Sequence, residues 1–280
     1  MIHIDSYFTN GNVKKTCQDY VIHGETPVPY VILCDGCSSS KFTDVGARIL
    51  AHSAKNILRF CLLKEFNHSM ATEEFYTTFA SMTISCAFAS VESLDIVKEC
   101  LDTTLIVLYH DPYHKRPVYL MYGDGYVITM KQGQLKNVWW STFEGNAPYY
   151  LSYLVDPERR KLYENFTLPY GNARKDNYIN ADISVTPSWY SPVKHDKYNM
   201  YYIDPEFNDS IFIASDGIDS FVDVENAERL PFRYILKEFL AFKNVNGKYI
   251  ERRVRRAMED FSKVNIHNTD DVSFGGMIID

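Results

Sequence analysis

These 280 residues contain no apolar run long enough to cross a bilayer, and no leader-like N-terminus, since His3 and Asp5 arrive at once. The expectation is a cytoplasmic protein with no membrane partner. Excess positive charge is also missing. The chain carries 29 Lys and Arg against 36 Asp and Glu, a net charge of −7, which argues against a nucleic-acid binder. There is no internal repeat and no low-complexity segment. Histidine is sparse, at 8 residues, and no nucleophile motif stands out. The Cys34-x-x-Cys37 pair has no second pair at matching spacing and no thioredoxin-like context, so the six cysteines read as reduced thiols rather than as a zinc or redox site. Without secretion, Asn67-His68-Ser69 and Asn165-Phe166-Thr167 are chance matches to the glycosylation pattern.

What is present is an ordinary apolar share of 46%, with 21 Tyr and 17 Phe, enough for a sizeable core rich in aromatics. Short strands are expected at 2–8 and 19–23, and a buried one at 30–34, ending in Asp35-Gly36. A helix should start near Thr43, read as its N-cap, with Val45, Ile49, Ser53, Ile57 and Cys61 on the core face. A second, from about Thr72, would bury Phe75, Phe79, Met82, Cys86 and Ala89. Runs at 104–109, 118–122, 126–130 and 135–140 then read as an antiparallel meander, which favours α+β layering. Residues 141–200 hold no steady period and read as an insertion or flap beside a site, within one domain spanning 1–280. Strand character resumes at Met200 and at Ile211–Ala214. A late helix buries Ile250, Val254, Ala257, Met258 and Phe261, and its Arg252, Arg253, Arg255 and Arg256 read as a solvated face rather than a basic docking patch. The strand 272–279 closes the chain.

Asp19, Asp35, Asp124, Asp216 and Asp270 each sit at the edge of an apolar, strand-like run. Carboxylates gathered at strand ends, with few histidines, suit Mg²⁺ or Mn²⁺ better than Zn²⁺. Asp–Gly is also the commonest tight-turn dipeptide, and for Asp124-Gly125, flanked by strands, a hairpin turn is the natural reading. For Asp35-Gly36 and Asp216-Gly217 it is not, because no returning strand follows.

The order Lys14-x-x-x-Gln18-Asp19, Cys34-Asp35-Gly36, Thr103-Thr104, Gly123-Asp124, Ser215-Asp216-Gly217 and Asp270-Asp271-Val272-Ser273 resembles the type 2C metal-dependent protein phosphatases, the PPM family. The likeness spans most of the chain outside 141–200. It implies an α-β-β-α sandwich, two antiparallel sheets flanked by helices, with two Mn²⁺ or Mg²⁺ ions at one end and a looser third. By resemblance, Asp35 would bridge the two metals, the Gly36 carbonyl would be a further ligand, and Asp216 and Asp270 would complete the pair. Asp19 would hold metal-bound waters, Asp124 the third ion, and Lys14 the phosphate. The implied reaction is hydrolysis of phosphoserine or phosphothreonine in a protein partner by hydroxide bridging the metals.

The sequence departs from that family at three places. Cys37 stands where many members have histidine, Lys14 where they have arginine, and 141–200 is unlike a short flap. A Lys keeps the charge but loses the bidentate fork. The competing expectation is a non-catalytic or weakly active phosphatase-like module that binds a phosphoprotein or signalling partner. The aspartate-nucleophile phosphatases are excluded by the absence of Asp-x-Asp at the strand end, since Gly36 and Cys37 follow Asp35.

Overall fold

The computed structural model describes residues 1–63, 73–167, 174–180, 193–195, 198–203, 206 and 208–280. The expected start of the second helix near Thr72, and Asn67-His68-Ser69, lie outside the described residues. In chain order the strands are β1 (Ile2–Thr9), β2 (Asp19–Gly24) and β3 (Tyr30–Asp35), followed by helices α1 (Thr43–Leu63) and α2 (Glu73–Ser93). Then come β4 (Leu105–Asp111), β5 (Arg116–Tyr122), β6 (Gly125–Lys131) and β7 (Gln134–Phe143), helix α3 (Pro157–Thr167), and β8 (Arg174–Asn180), β9 (Val193–His195), β10 (Tyr198–Tyr202) and β11 (Ser210–Ala214). The chain ends with the short β12 (Phe221–Asp223) and β13 (Glu228–Arg229), helices α4 (Phe232–Phe239) and α5 (Tyr249–Ser262), and β14 (Ile266–Asn268) and β15 (Val272–Ile279).

Two six-stranded antiparallel sheets result, in the orders β1-β15-β11-β6-β7-β8 and β2-β3-β4-β5-β10-β9. Alternation along β3 shows how they stack. Val31 and Leu33 face the other sheet, meeting Ile211, Ile213 and Met277, while Ile32 and Cys34 face α1 and α2. Because both faces are covered, β3 reads as an unbroken apolar run. The opposite sheet is covered by α4 and α5, where Phe212 stacks on Phe274 and on Phe242, which follows α4, and Phe274 meets Phe239 of α4 edge-on. The architecture is thus the expected α-β-β-α sandwich, with one core between the sheets and one under each helical layer.

Three local expectations need correction. The buried face of α1 is Ala47, Leu50, Ala51, Ala54, Leu58 and the expected Ser53 and Cys61, with Val45, Ile49 and Ile57 at its margin. That of α2 is Phe75, Tyr76, Phe79, Ala80, Ile84, Ala87 and Val91, while Met82 and Cys86 are half-buried and Ala89 is exposed. Both stripes are rotated toward alanines, whose small side chains let the two helices approach each other and the sheet; hydrophobicity alone favours the larger residues. Thr43 is not a cap for its helix. Its hydroxyl donates to the Cys37 carbonyl (3.1 Å) and accepts from Gln18 (2.7 Å), so it serves the site loop instead.

The third correction matters most for function. The strands at 104–140 are not one meander. β4 and β5 pair in one sheet and β6 and β7 in the other, so the chain changes sheets at Gly123-Asp124-Gly125. The crossing depends on glycine: Gly123 has φ +90° and Gly125 φ +134°, backbone that L side chains rarely adopt. A Cβ on Gly125 would also lie 2.9 Å from the Ala214 carbonyl oxygen. Gly125→Ala should therefore lower unfolding free energy by roughly 2–4 kcal/mol. Denaturant unfolding checks this, and a loss below about 0.5 kcal/mol would contradict the strained-crossing account.

Candidate active site

The crossing puts Asp124 beside the ends of β3, β11 and β15, and this is where the predicted acids come together. Asp35 is the last residue of β3 and Asp19 the first of β2, and the antiparallel register sets them directly opposite each other. Asp216 follows β11 in a short 3₁₀ turn, and Asp270 precedes β15. β11 pairs with both β6 and β15, so the ends carrying Asp124, Asp216 and Asp270 adjoin. Lys14, Asp35, Gly36, Cys37, Thr104, Asp124, Asp216 and Asp270 line one open cleft of about 310 Å³, walled on the far side by Gly145, Asn146, Pro148 and Tyr150. Asp19 does not line it. At 1% exposure it lies behind Asp35, accepting a 2.7 Å hydrogen bond from Ser215 Oγ.

The acids meet in pairs. Asp35 is within hydrogen-bonding reach of both Asp19 and Asp216. Among the described residues no three metal-ligating side chains already stand in a gripping geometry. Desolvation, and then the charges of the neighbouring acids, raise Asp35 well above the usual carboxylate range, and Asp216 is also raised. Burial pushes Asp19 and Asp124 up to about 7. Lys14 is the one cation lining the cleft among the described residues. Its ammonium pairs with Asp270 and stands 3.7 Å from Asp271. Burial alone would lower its pKa, but those partners outweigh it and the net shift is upward.

The surrounding loops are held by hydrogen bonds that the motif residues do not show. The fully buried Asp271 accepts from the backbone of Gly11 (2.8 Å) and Gln18 (2.7 Å), which brings the loop carrying Lys14 to the cleft. Thr104 donates from its backbone to the Asp35 carbonyl (2.8 Å) and accepts from the Asp35 backbone through its hydroxyl (3.2 Å). The Gly36 N–H donates to the Gln18 carbonyl (3.2 Å), and the Cys37 N–H, which shares its peptide plane with the Gly36 carbonyl, donates to the Asp102 carbonyl (2.8 Å) and so fixes that carbonyl's direction. A Cβ on Gly217 would lie 1.7 Å from the Asp271 carbonyl oxygen, so the turn bearing Asp216 is in direct contact with the Asp270-Asp271 corner.

Asp102, Tyr150 and Arg159 escaped the sequence reading. Asp102 is 1% exposed. Its carboxylate accepts from Ser40 (2.7 Å), from Ser152 (2.7 Å) and, bidentately, from Arg159 (2.9 and 2.5 Å), while its carbonyl accepts from the Cys37 N–H (2.8 Å). One residue, through its carbonyl and its carboxylate, thus ties the Asp35-Gly36-Cys37 loop to the start of the 141–200 segment. An acid next to the Thr103-Thr104 pair was the only available hint, and its arginine lies 57 positions away. The arginines of α5 are engaged, Arg253 with Glu238 (2.7 Å), Arg255 with Glu251 (3.1 Å) and Arg256 with Asp260 (3.1 Å), as a solvated face requires. All six cysteines are free; Cys34 is buried against α1 and only Cys37 faces the cleft.

With this geometry in place, comparison gives one family. The family model of protein phosphatase 2C matches residues 11–259. A search of curated proteins finds no match. Among solved structures, the chain resembles the serine/threonine phosphatase Stp1 from Staphylococcus aureus at 17% identity and a TM-score of 0.53, covering 100% of this chain and 96% of that one. It resembles a bacterial serine phosphatase at 15% identity and a TM-score of 0.52, covering 100% and 98%. The Mycobacterium tuberculosis serine/threonine phosphatase PstP/Ppp matches at 14% identity and a TM-score of 0.50, covering 100% and 99%. At such identities the likeness concerns the fold.

Gathering these acids has a thermodynamic consequence. For an acid whose folded pKa is raised, the folded state holds more protons than the unfolded chain between about pH 4 and pH 7, so stability falls as pH rises through that window. Chelator-treated protein should melt higher at pH 5.5 than at pH 7.5. Asp35→Asn should raise the pH 7.5 melting temperature by roughly 2–6 °C, for on the order of 1–2 kcal/mol. Calorimetry at the two pH values checks both. A melting temperature that rises with pH, or an Asn variant less stable than the parent, would contradict the repulsion.

Proposed function

The chain belongs to the protein phosphatase 2C family, and from that premise we propose that it is a metal-dependent phosphoserine/phosphothreonine phosphatase acting on protein substrates. The observation that carries this reading is the cleft at the sheet ends, where Asp35, Asp124, Asp216 and Asp270 converge with only Lys14 to offset them among the described residues. Hard oxygen donors in such excess of negative charge fit Mg²⁺ or Mn²⁺, and both the raised carboxylate pKa values and the Asp35 contacts express the missing countercharge. No helix of the described residues is long and apolar enough to cross a membrane, and a cytoplasmic site of action is the companion proposal.

In this account Asp35, reaching both Asp19 and Asp216, would be the central carboxylate for two ions, with Asp216, Asp270 and the Gly36 carbonyl as the remaining protein ligands, and Asp124 would hold a looser third ion. Bound divalent ions supply a water of lowered pKa and neutralise phosphoryl oxygens during in-line displacement. Asp19, oriented by Ser215, orders water behind Asp35 and buttresses its carboxylate. Lys14, held at the cleft wall by Asp271 through the backbone of the 11–18 loop, offers its ammonium to a phosphoryl oxygen. To do so it exchanges part of its contact with Asp270 for the substrate, a point-charge grip that is less directional than an arginine fork.

The test is phosphate release from a phosphothreonine peptide with Mn²⁺ or Mg²⁺ and with chelator. Release should require the metal and fall by at least about 10²-fold in Asp35→Asn and in Asp216→Asn. Chelator-insensitive release, or full activity in both folded variants, would sink the proposal. Metal binding with no activity on any phosphorylated substrate would favour the non-catalytic module.

A further inference from the structure

Asp102 joins two parts of the site through different atoms. It follows the 3₁₀ turn Lys98–Leu101, precedes the Thr103-Thr104 pair and is 1% exposed. Its backbone carries the β3–β4 pairing on to Gly36 and Thr103: the Cys37 N–H donates to the Asp102 carbonyl and the Thr104 N–H to the Asp35 carbonyl, both at 2.8 Å. The backbone of Asp102 therefore helps to set the direction of the Gly36 carbonyl.

Its carboxylate is filled from the far wall of the cleft. Oδ1 accepts from Ser152 (2.7 Å) and Arg159 Nη1 (2.9 Å), and Oδ2 from Arg159 Nη2 (2.5 Å) and Ser40 (2.7 Å). Ser152 lies in the 3₁₀ turn Leu151–Leu154, which directly follows Pro148 and Tyr150 of the wall. Arg159 also lies over the Tyr153 ring, 5.2 Å from its centroid. The turn before Asp102 grips α3 a second time, where Lys98 pairs with Asp156 (2.6 Å). Asp156 caps that helix, accepting the Arg159 N–H (3.1 Å), with Pro157 as the first helical residue.

A largely buried ion pair is a poor way merely to hold two segments together, because both groups give up their hydration and an apolar contact would serve as well. What so many donors on one carboxylate supply is a single geometry. A wall that moves either draws Asp102 with it or leaves a buried charge unpaired. A displaced Asp102 in turn draws on the Cys37 N–H, and with it the Gly36 carbonyl. We propose that Asp102 is a positioning residue that couples divalent-cation binding at Asp35 and Gly36 to the placement of the wall at 145–154, with Arg159 as the link on the wall side. The inference rests on the phosphatase reading above. When the Gly36 carbonyl is held by an ion, the peptide it shares with Cys37 keeps one orientation, that peptide steadies the Asp102 backbone, and the carboxylate steadies Ser152 and Arg159. The coupling is mutual: the factor by which the ion favours the docked wall is the factor by which the docked wall favours the ion.

The experiment reads binding and exchange rather than turnover. Calorimetric titration of Mn²⁺ into the chelator-stripped full chain gives Kd. Hydrogen exchange with and without saturating Mn²⁺ follows the amides of Tyr153, Val155, Arg159 and Arg160, all hydrogen-bonded in the structure. In the wild-type chain Mn²⁺ should slow their exchange by about tenfold. In Arg159→Ala that slowing should disappear, while persisting at the Thr104 amide beside Asp35, and Mn²⁺ should bind about tenfold more weakly. Ser152→Ala leaves every charge in place and should lose about threefold in both readouts, which provides a second variant should the first fold poorly. A purely structural clamp would speed exchange in Arg159→Ala with and without Mn²⁺ alike and leave Kd unchanged. That result, or Mn²⁺ binding to the wild-type chain without slowing these amides, would overturn the inference and leave the phosphatase reading standing. A wild-type chain that binds no Mn²⁺ would overturn both.

Discussion

Repulsion among desolvated carboxylates is the constraint that the rest of this structure depends on. Asp19, Asp35, Asp124 and Asp216 are held at one end of a sandwich where burial and mutual charge raise every one of them above its ordinary pKa. A fold gathers such groups only if its backbone leaves no alternative. Here strand pairing does so: the Asp19–Asp35 register, the adjacency of β6, β11 and β15, and the glycine-dependent sheet crossing fix the positions before any cation is considered. The energy that the acids cost as a cluster is what gives a divalent cation its purchase there. The same reasoning explains why Lys14, the single cation of the cleft among the described residues, is drawn to Asp270.

Around that cluster, neutral and paired groups carry the positioning. Ser215 orients Asp19 and aligns with the Ser273 N–H (3.0 Å), so two strand ends of the same sheet share one hydroxyl. Asp271, adjacent to the acid that faces the cleft, points the other way and captures two backbone N–H groups. Neighbouring aspartates at 270 and 271 thus divide the labour by direction alone: Asp270 is 45% exposed at its side chain and faces the cleft, and Asp271 is 1% exposed and anchors a loop. Asp102 and Arg159 do for the opposite wall what Asp271 does for the Lys14 loop.

Much of this was legible in the sequence because strands that end in an acid and a glycine announce themselves locally. The acids at strand ends and the closing strand follow from apolar runs and their boundaries, whereas the two-sheet sandwich is what the resemblance to the type 2C phosphatases implies. Asp35, Asp124, Asp216 and Asp270 are brought to one cleft, and Asp19 just behind it. The sheet crossing was misread because Asp124-Gly125 between two strands has the local chemistry of a hairpin, and only the pairing partners of β5 and β6 distinguish the two. Helix faces were rotated because alanines at close contacts carry little hydrophobicity. Arg159 and Tyr150 lay in a segment without period, and their roles come from contacts across the fold that no local pattern encodes. The stretch read as an insertion contains a helix and a strand, β8, that returns to pair with β7.

The central claim, that the clustered acids exist to hold divalent cations, is tested most directly by calorimetric titration of Mn²⁺ into the chelator-stripped protein at neutral pH. The account predicts about two tightly bound ions per chain, with proton release on binding and loss of the tight sites in Asp35→Asn. Binding of no ion, or the same stoichiometry and affinity in Asp35→Asn, would contradict it.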